Sequence, residues 1–208
     1  MKENLTEIIF ILDRSGSMRS LTNDTIGGFN AFVENQKKED GEATLTTVLF
    51  DYEYELLHDG VNLKDVNPLT NKEYFARGST ALLDAIGRAI NTVGGRLDNT
   101  PEDEKPSKVI FVITTDGEEN SSKEFRQSQI KEMIEHQTET YNWQFIFLGA
   151  NIDAVSTAQN FGIQGQFASN YTASGLGTRS VYDGVSNMVS GYRDKGVVLD
   201  NWNADIKW

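Results

Sequence analysis

The chain has 208 residues, a formal net charge of −12 and no cysteine. That length allows one substantial core, and the lack of cysteine excludes disulfide frameworks, thiolate metal sites and cysteine nucleophiles. The acidity argues against nucleic acid, whose recognition draws on clustered Lys and Arg.

The 2 histidines, His58 and His136, are far apart and read as surface residues, so His-based zinc chemistry is not expected. No run approaches the roughly 18 apolar residues of a membrane span, and the apolar stretch after the acid-bearing N-terminus is shorter than that of a signal peptide. The expectation is a soluble cytoplasmic protein with one domain over 1–200, a tail at 201–208, and neither a membrane nor a nucleic-acid partner.

The first element is an unbroken apolar run, Ile8-Ile9-Phe10-Ile11-Leu12, which reads as a strand buried on both faces of a parallel sheet. It ends on Asp13-Arg14-Ser15-Gly16-Ser17, bringing one acid and two hydroxyls to the carboxyl end of the strand, where parallel sheets place their ligands. Such oxygens suit a hard cation such as Mg²⁺. The plainer alternative is that Asp13 and Ser15 cap the next helix.

Leu21, Ile26, Phe29, Phe32 and Val33 then fall at helical spacing, with Gly27-Gly28 requiring support from packing. Residues 43–54 alternate as a strand, and 53–57 follow too closely for a crossover, so they pair antiparallel as a hairpin at the sheet edge. His58-Asp59-Gly60 reads as the closing turn, and 61–68 as a loop or short strand beneath that edge.

Gly78-Ser79-Thr80 leads into the apolar stripe Leu82, Ile86, Ala89, Ile90 and Val93, placing Thr80 at a helix start, with a cap as its plain reading. Gly94-Gly95 is expected to end or weaken this helix. Val109-Ile110-Phe111-Val112-Ile113 repeats the opening pattern and runs through Thr114-Thr115 to Asp116-Gly117-Glu118. Two buried strands ending in acids point to a shared ligand, because a lone buried carboxylate is costly.

Further on, 125–137 reads as a helix, 143–149 as a buried strand, 155–161 as a short helix, 165–169 as a last short strand and 181–192 as the final helix. A Gly-containing loop, 172–177, precedes that helix. Trp202 and Trp208 lie in the polar tail and are expected to fold back. Alternating strands and helices with one hairpin give an α/β fold: an open, doubly wound, mostly parallel sheet with helices on both faces and one antiparallel edge strand. In strand order 3-2-1-4-5-6 the strands ending at Asp13 and Asp116 are neighbours.

Asp13-x-Ser15-x-Ser17, Thr80 within Gly78-Ser79-Thr80-Ala81-Leu82, and Thr115-Asp116-Gly117-Glu118 together resemble the metal-ion-dependent adhesion site of von Willebrand factor type A domains, with motif order matching from Ile8 to Leu148. The resemblance is to the small stand-alone domains of bacteria and their phages. It implies that Ser15, Ser17 and Thr80 lend hydroxyl oxygens to Mg²⁺, or Mn²⁺ in its place, while Asp13 and Asp116 act largely through bound water. It also implies a protein partner whose Asp or Glu completes the coordination, without catalysis.

Two other readings compete. A phosphatase or phosphotransferase of haloacid-dehalogenase type also ends an apolar strand in Asp, but needs a second Asp two residues on, where Ser15 stands, and a lysine for the phosphate. A structural assembly subunit would use the metal only to stabilise its fold.

Overall fold

A computed structural model describes residues 1–207, so Trp208 lies outside the described residues. Among the described residues six strands form one sheet in the order β3-β2-β1-β4-β5-β6. They are β1 (Lys2–Asp13), β2 (Glu42–Phe50), β3 (Tyr54–Asn62), β4 (Pro106–Thr115), β5 (Gln144–Ala150) and β6 (Ala168–Tyr171). All neighbours are parallel except β2 and β3. This is the expected doubly wound topology, with β1 and β4 side at centre.

Among the described residues five α-helices cover the faces: α1 (Thr22–Gln36), α2 (Leu82–Asp98), α3 (Gln127–Tyr141), α4 (Ala154–Asn160) and α5 (Gly175–Lys195). Strand side chains alternate between two cores. Ile8, Phe10, Leu12, Ile110 and Val112 pack under α1 and α5, while Ile9, Ile11, Phe111 and Ile113 pack under α2, α3 and α4. The central strands are therefore apolar at every position from Ile8 to Leu12 and from Val109 to Ile113, as two buried faces require. Among the described residues no helix is long and apolar enough to cross a membrane.

The structure corrects several local readings. His58-Asp59-Gly60 is not a turn but part of β3, which runs on to Asn62. Gly60 takes a positive φ of 61° and its N–H donates to Thr46 Oγ1 (2.9 Å), absorbing a register shift against β2 as a bulge. The hairpin turn lies earlier, where the Asp51 carboxylate accepts from the Glu53 N–H (2.8 Å). The segment after β3 is a short 3-10 turn at Leu63–Asp65, whose Leu63, with Val66, enters the core.

Gly94-Gly95 neither ends nor breaks α2, which continues to Asp98. Packing offsets their low helix propensity, since Arg96 in the last turn bonds the buried Glu7. Gly28 is needed by contact instead: a Cβ there would come 2.3 Å from the Tyr182 ring, so α1 and α5 pack closely only with glycine. The last strand begins three residues later than expected, a 3-10 turn occupying Gly165–Phe167, and α5 starts within the supposed loop, with Ser174 Oγ accepting from the Gly177 N–H (3.1 Å).

In the tail, Ile206 is buried, Trp202 Nε1 donates to Gln166 O (2.9 Å), and the Thr172 N–H donates to Lys207 O (2.9 Å).

Candidate metal centre

Because β1 and β4 run parallel with Leu12 opposite Thr114, their carboxyl ends open at one level. Asp13 there is fully buried, and both its oxygens are engaged. Oδ1 accepts from the Ser15 N–H (2.6 Å) and Oδ2 from Thr115 Oγ1 (2.7 Å). Ser15 Oγ lies 3.1 Å from Ser17 Oγ, which in turn donates to Asp116 Oδ1 (2.5 Å). Thr80 reaches the same point: a Cβ on Gly117 would sit 3.6 Å from Ser17 Oγ and 3.7 Å from Thr80 Oγ1. Asp13, Ser15, Ser17, Thr80 and Asp116 thus converge, with only Ser17 exposed to solvent.

The hydroxyls do not serve as helix caps. Ser15 precedes the short 3-10 segment Gly16–Leu21 without any side-chain capping bond. Ala81, not Thr80, is the N-cap residue of α2. That helix start is satisfied from the loop after β4, where Glu119 Oε2 accepts from the Leu83 N–H (2.9 Å) and Ser122 Oγ from the Asp84 N–H (3.1 Å). With capping supplied from elsewhere, the Ser15 and Thr80 oxygens are free for another role.

The electrostatics are unbalanced. Burial pushes the Asp13 carboxyl up to about 6, against hydrogen bonds from Thr115 and Ser15 that lower it, and the nearby Asp116 charge adds to the rise. Asp116 is also raised, again chiefly by burial, with the Ser17 hydroxyl opposing. No ion pair among the described residues involves either acid. Two buried carboxylates without a cation are expensive, and a bound cation would remove the cost.

The donor set fits a hard ion. It offers carboxylate and hydroxyl oxygens only, which suits Mg²⁺ or Mn²⁺. Among the described residues no three His, Cys, Asp or Glu side chains cluster as metal ligands, so any ion held here depends on the hydroxyls.

Three supporting residues escaped the sequence reading. Thr115 fixes Asp13 through its hydroxyl, which also accepts from the Gly117 N–H (3.3 Å). Asn120 clamps Thr80 on both sides, its Oδ1 accepting from the Thr80 N–H (2.9 Å) and its N–H donating to Thr80 O (3.0 Å). Tyr74 Oη donates to the Asp13 carbonyl (2.5 Å). Thr115 had a usable signal, a hydroxyl next to the strand-ending acid; Asn120 and Tyr74 had none.

No protein-family model matches the chain, and no curated protein matches it. Solved structures do. The vWF domain of the type V pili tip protein Mfa5 from Porphyromonas gingivalis aligns at a TM-score of 0.65 and 12% identity, over 94% of this chain and 98% of that one. This chain has the von Willebrand factor type A fold. Proximal thread matrix protein 1 from the mussel byssus aligns at 0.62 and 15% identity, over 89% of this chain, and was also solved with a zinc-occupied MIDAS motif. The von Willebrand factor type A structure from Catenulispora acidiphila gives 0.59 and 14%. This von Willebrand factor type A fold spans 46% of the mussel chain and 43% of the Catenulispora chain.

Proposed function

We propose that the chain is a noncatalytic, Mg²⁺-dependent protein-binding module. The observation that carries this reading is the convergence of two buried carboxylates, unpaired with Lys or Arg among the described residues, with three hydroxyls, of which Ser15 and Thr80 cap no helix. Ser15, Ser17 and Thr80 would offer neutral oxygens to the metal, with Asp13 and Asp116 as the anionic acceptors beside them or through water. Thr115 and Asn120 orient Asp13 and Thr80. The bound ion would supply a positive charge that its neutral ligands leave largely uncompensated, favouring an outside carboxylate.

The partner is accordingly a protein presenting Asp or Glu. Ser17, the exposed member of the set, marks the side from which that carboxylate would arrive. Support from the relatives is of the same kind: the mussel protein's structure with zinc in its MIDAS motif, and the place of Mfa5 at a pilus tip. A cytoplasmic setting belongs to this reading, resting on the cysteine-free composition; a phage-associated assembly is its narrower form. The haloacid-dehalogenase alternative has weaker support, since Ser stands at position 15 in place of an acid and, among the described residues, no lysine pairs with Asp13.

Peptides with a central glutamate provide the test. Binding in millimolar Mg²⁺ is expected to vanish with chelator, with glutamine in place of the glutamate, and in Asp116→Ala, whose folding is checked by circular dichroism. Binding that survives all three would refute the reading.

A further inference from the structure

Beside the metal loop stands a group of side chains that the fold itself does not require to be exposed. Tyr52 is 53% and Phe75 43% exposed, and the Arg77 guanidinium carbon lies 5.5 Å from the Tyr52 ring centroid and 5.3 Å from that of Phe75. Carboxylates fix the arginine of this stack. Asp51 Oδ2 accepts from Arg77 Nε (2.9 Å), Glu53 from Arg77 Nη2 (2.5 Å), and Arg14 approaches Phe75 from beneath at 5.5 Å. Tyr52 lies directly on Gly78, where φ is +68° and a Cβ would come 2.1 Å from the ring.

This shelf is joined to the metal loop by backbone. The Arg77 N–H donates to Arg14 O (2.8 Å) and the Gly16 N–H to Gly78 O (3.0 Å), so the rings sit against the segment that carries Ser15 and Ser17. Exposed aromatics around an arginine have the composition of binding hot spots, and an arginine fixed by two carboxylates lowers the cost of ordering them against a partner.

Resting on the proposed carboxylate-binding reading, we propose that this shelf selects the partner: it takes an aromatic side chain adjacent to the acidic residue that addresses the metal. Local charge argues for that chemistry. Arg14 and Arg77 are matched by Asp51, Glu53 and Glu55, so two cations face three anions and a second partner carboxylate is repelled. The two arginines already occupy cation–π positions on these rings, so what the half-exposed rings still offer a partner is offset or edge-to-face contact with another ring.

The test uses the full chain and an array of peptides with a central glutamate flanked by Phe, Leu, Ser or Lys, probed in Mg²⁺. Phe-flanked peptides are expected to bind about tenfold tighter than Ser-flanked ones, and Phe75→Ala or Tyr52→Ala to erase that preference with Mg²⁺ affinity unchanged. Phe75→Ala decides if Tyr52→Ala disturbs the loop through Gly78. Glutamate-dependent binding with no flank preference, with a preference for Lys, or with a Phe preference that survives Phe75→Ala would overturn the inference alone. Binding indifferent to glutamine at the centre would overturn the metal reading and this inference with it.

Discussion

Asp13 and Asp51 stand at the carboxyl ends of adjacent strands, both with no solvent exposure, and the fold treats them in opposite ways. Asp51 accepts from Arg14 Nε and Arg77 Nε, each at 2.9 Å, and from the Glu53 N–H. Among the described residues Asp13 receives only a hydroxyl and an amide, and the charge that acts on it, Asp116, has its own sign. A carboxylate neutralised by the chain's own guanidinium groups is architecture; one left with neutral donors stores a requirement for a cation from outside.

The sharpest way to break this comparison is Asp51→Ala. It leaves Arg14, 1% exposed, short of its buried partner, and is expected to cost about 3–5 kcal/mol whether or not metal is present, read from urea denaturation. A loss below about 1 kcal/mol would mean that Asp51 is not the structural counterpart described.

Asp13 should respond in the other direction. Its folded pKa of about 6 lies above the ordinary 3.8, so its contribution to stability is complete below pH 4 and is lost as pH rises through 6. Protein in chelator should therefore lose up to about 3 kcal/mol between pH 4 and 7.5 from this residue. Asp13→Asn should flatten that part of the profile, and millimolar Mg²⁺ should restore the wild type at pH 7.5 by mass action. A wild-type profile identical to that of Asp13→Asn would remove the claimed imbalance.

Thr115→Val tests positioning. Removing the hydroxyl that holds Asp13 Oδ2 should weaken Mg²⁺ affinity by about 10-fold or more while changing stability by only about 1 kcal/mol. Ser17→Ala should also leave the fold intact: the loss of its hydrogen bond to Asp116 from an exposed position should cost no more than about 1 kcal/mol, yet Mg²⁺ affinity should fall in calorimetry.

The sequence made the central strands and their ends legible because continuous apolar runs such as 8–12 and 109–113 have few alternatives in a chain of this size. The strand order then brought Asp13 and Asp116 together, and the hydroxyl motif added Ser15, Ser17 and Thr80. What escaped depends on contacts between distant segments. His58-Asp59-Gly60 has turn composition, and only pairing with β2 makes Gly60 a bulge. Gly94-Gly95 would weaken an isolated helix, but α2 is held by its neighbours. Nothing local distinguishes Asp51 from Asp13, because the arginines that pair with Asp51 come from positions 14 and 77.

The most direct measurement is a calorimetric titration of chelator-stripped protein with Mg²⁺ and Mn²⁺, comparing wild type, Asp116→Ala and an Asp59→Ala surface control, each checked for folding. Saturable binding in wild type and control, absent in Asp116→Ala, is the predicted result. Binding that persists in folded Asp116→Ala, or no binding by wild type at millimolar metal, would contradict the assignment of the Asp13, Ser15, Ser17, Thr80 and Asp116 cluster as a cation site.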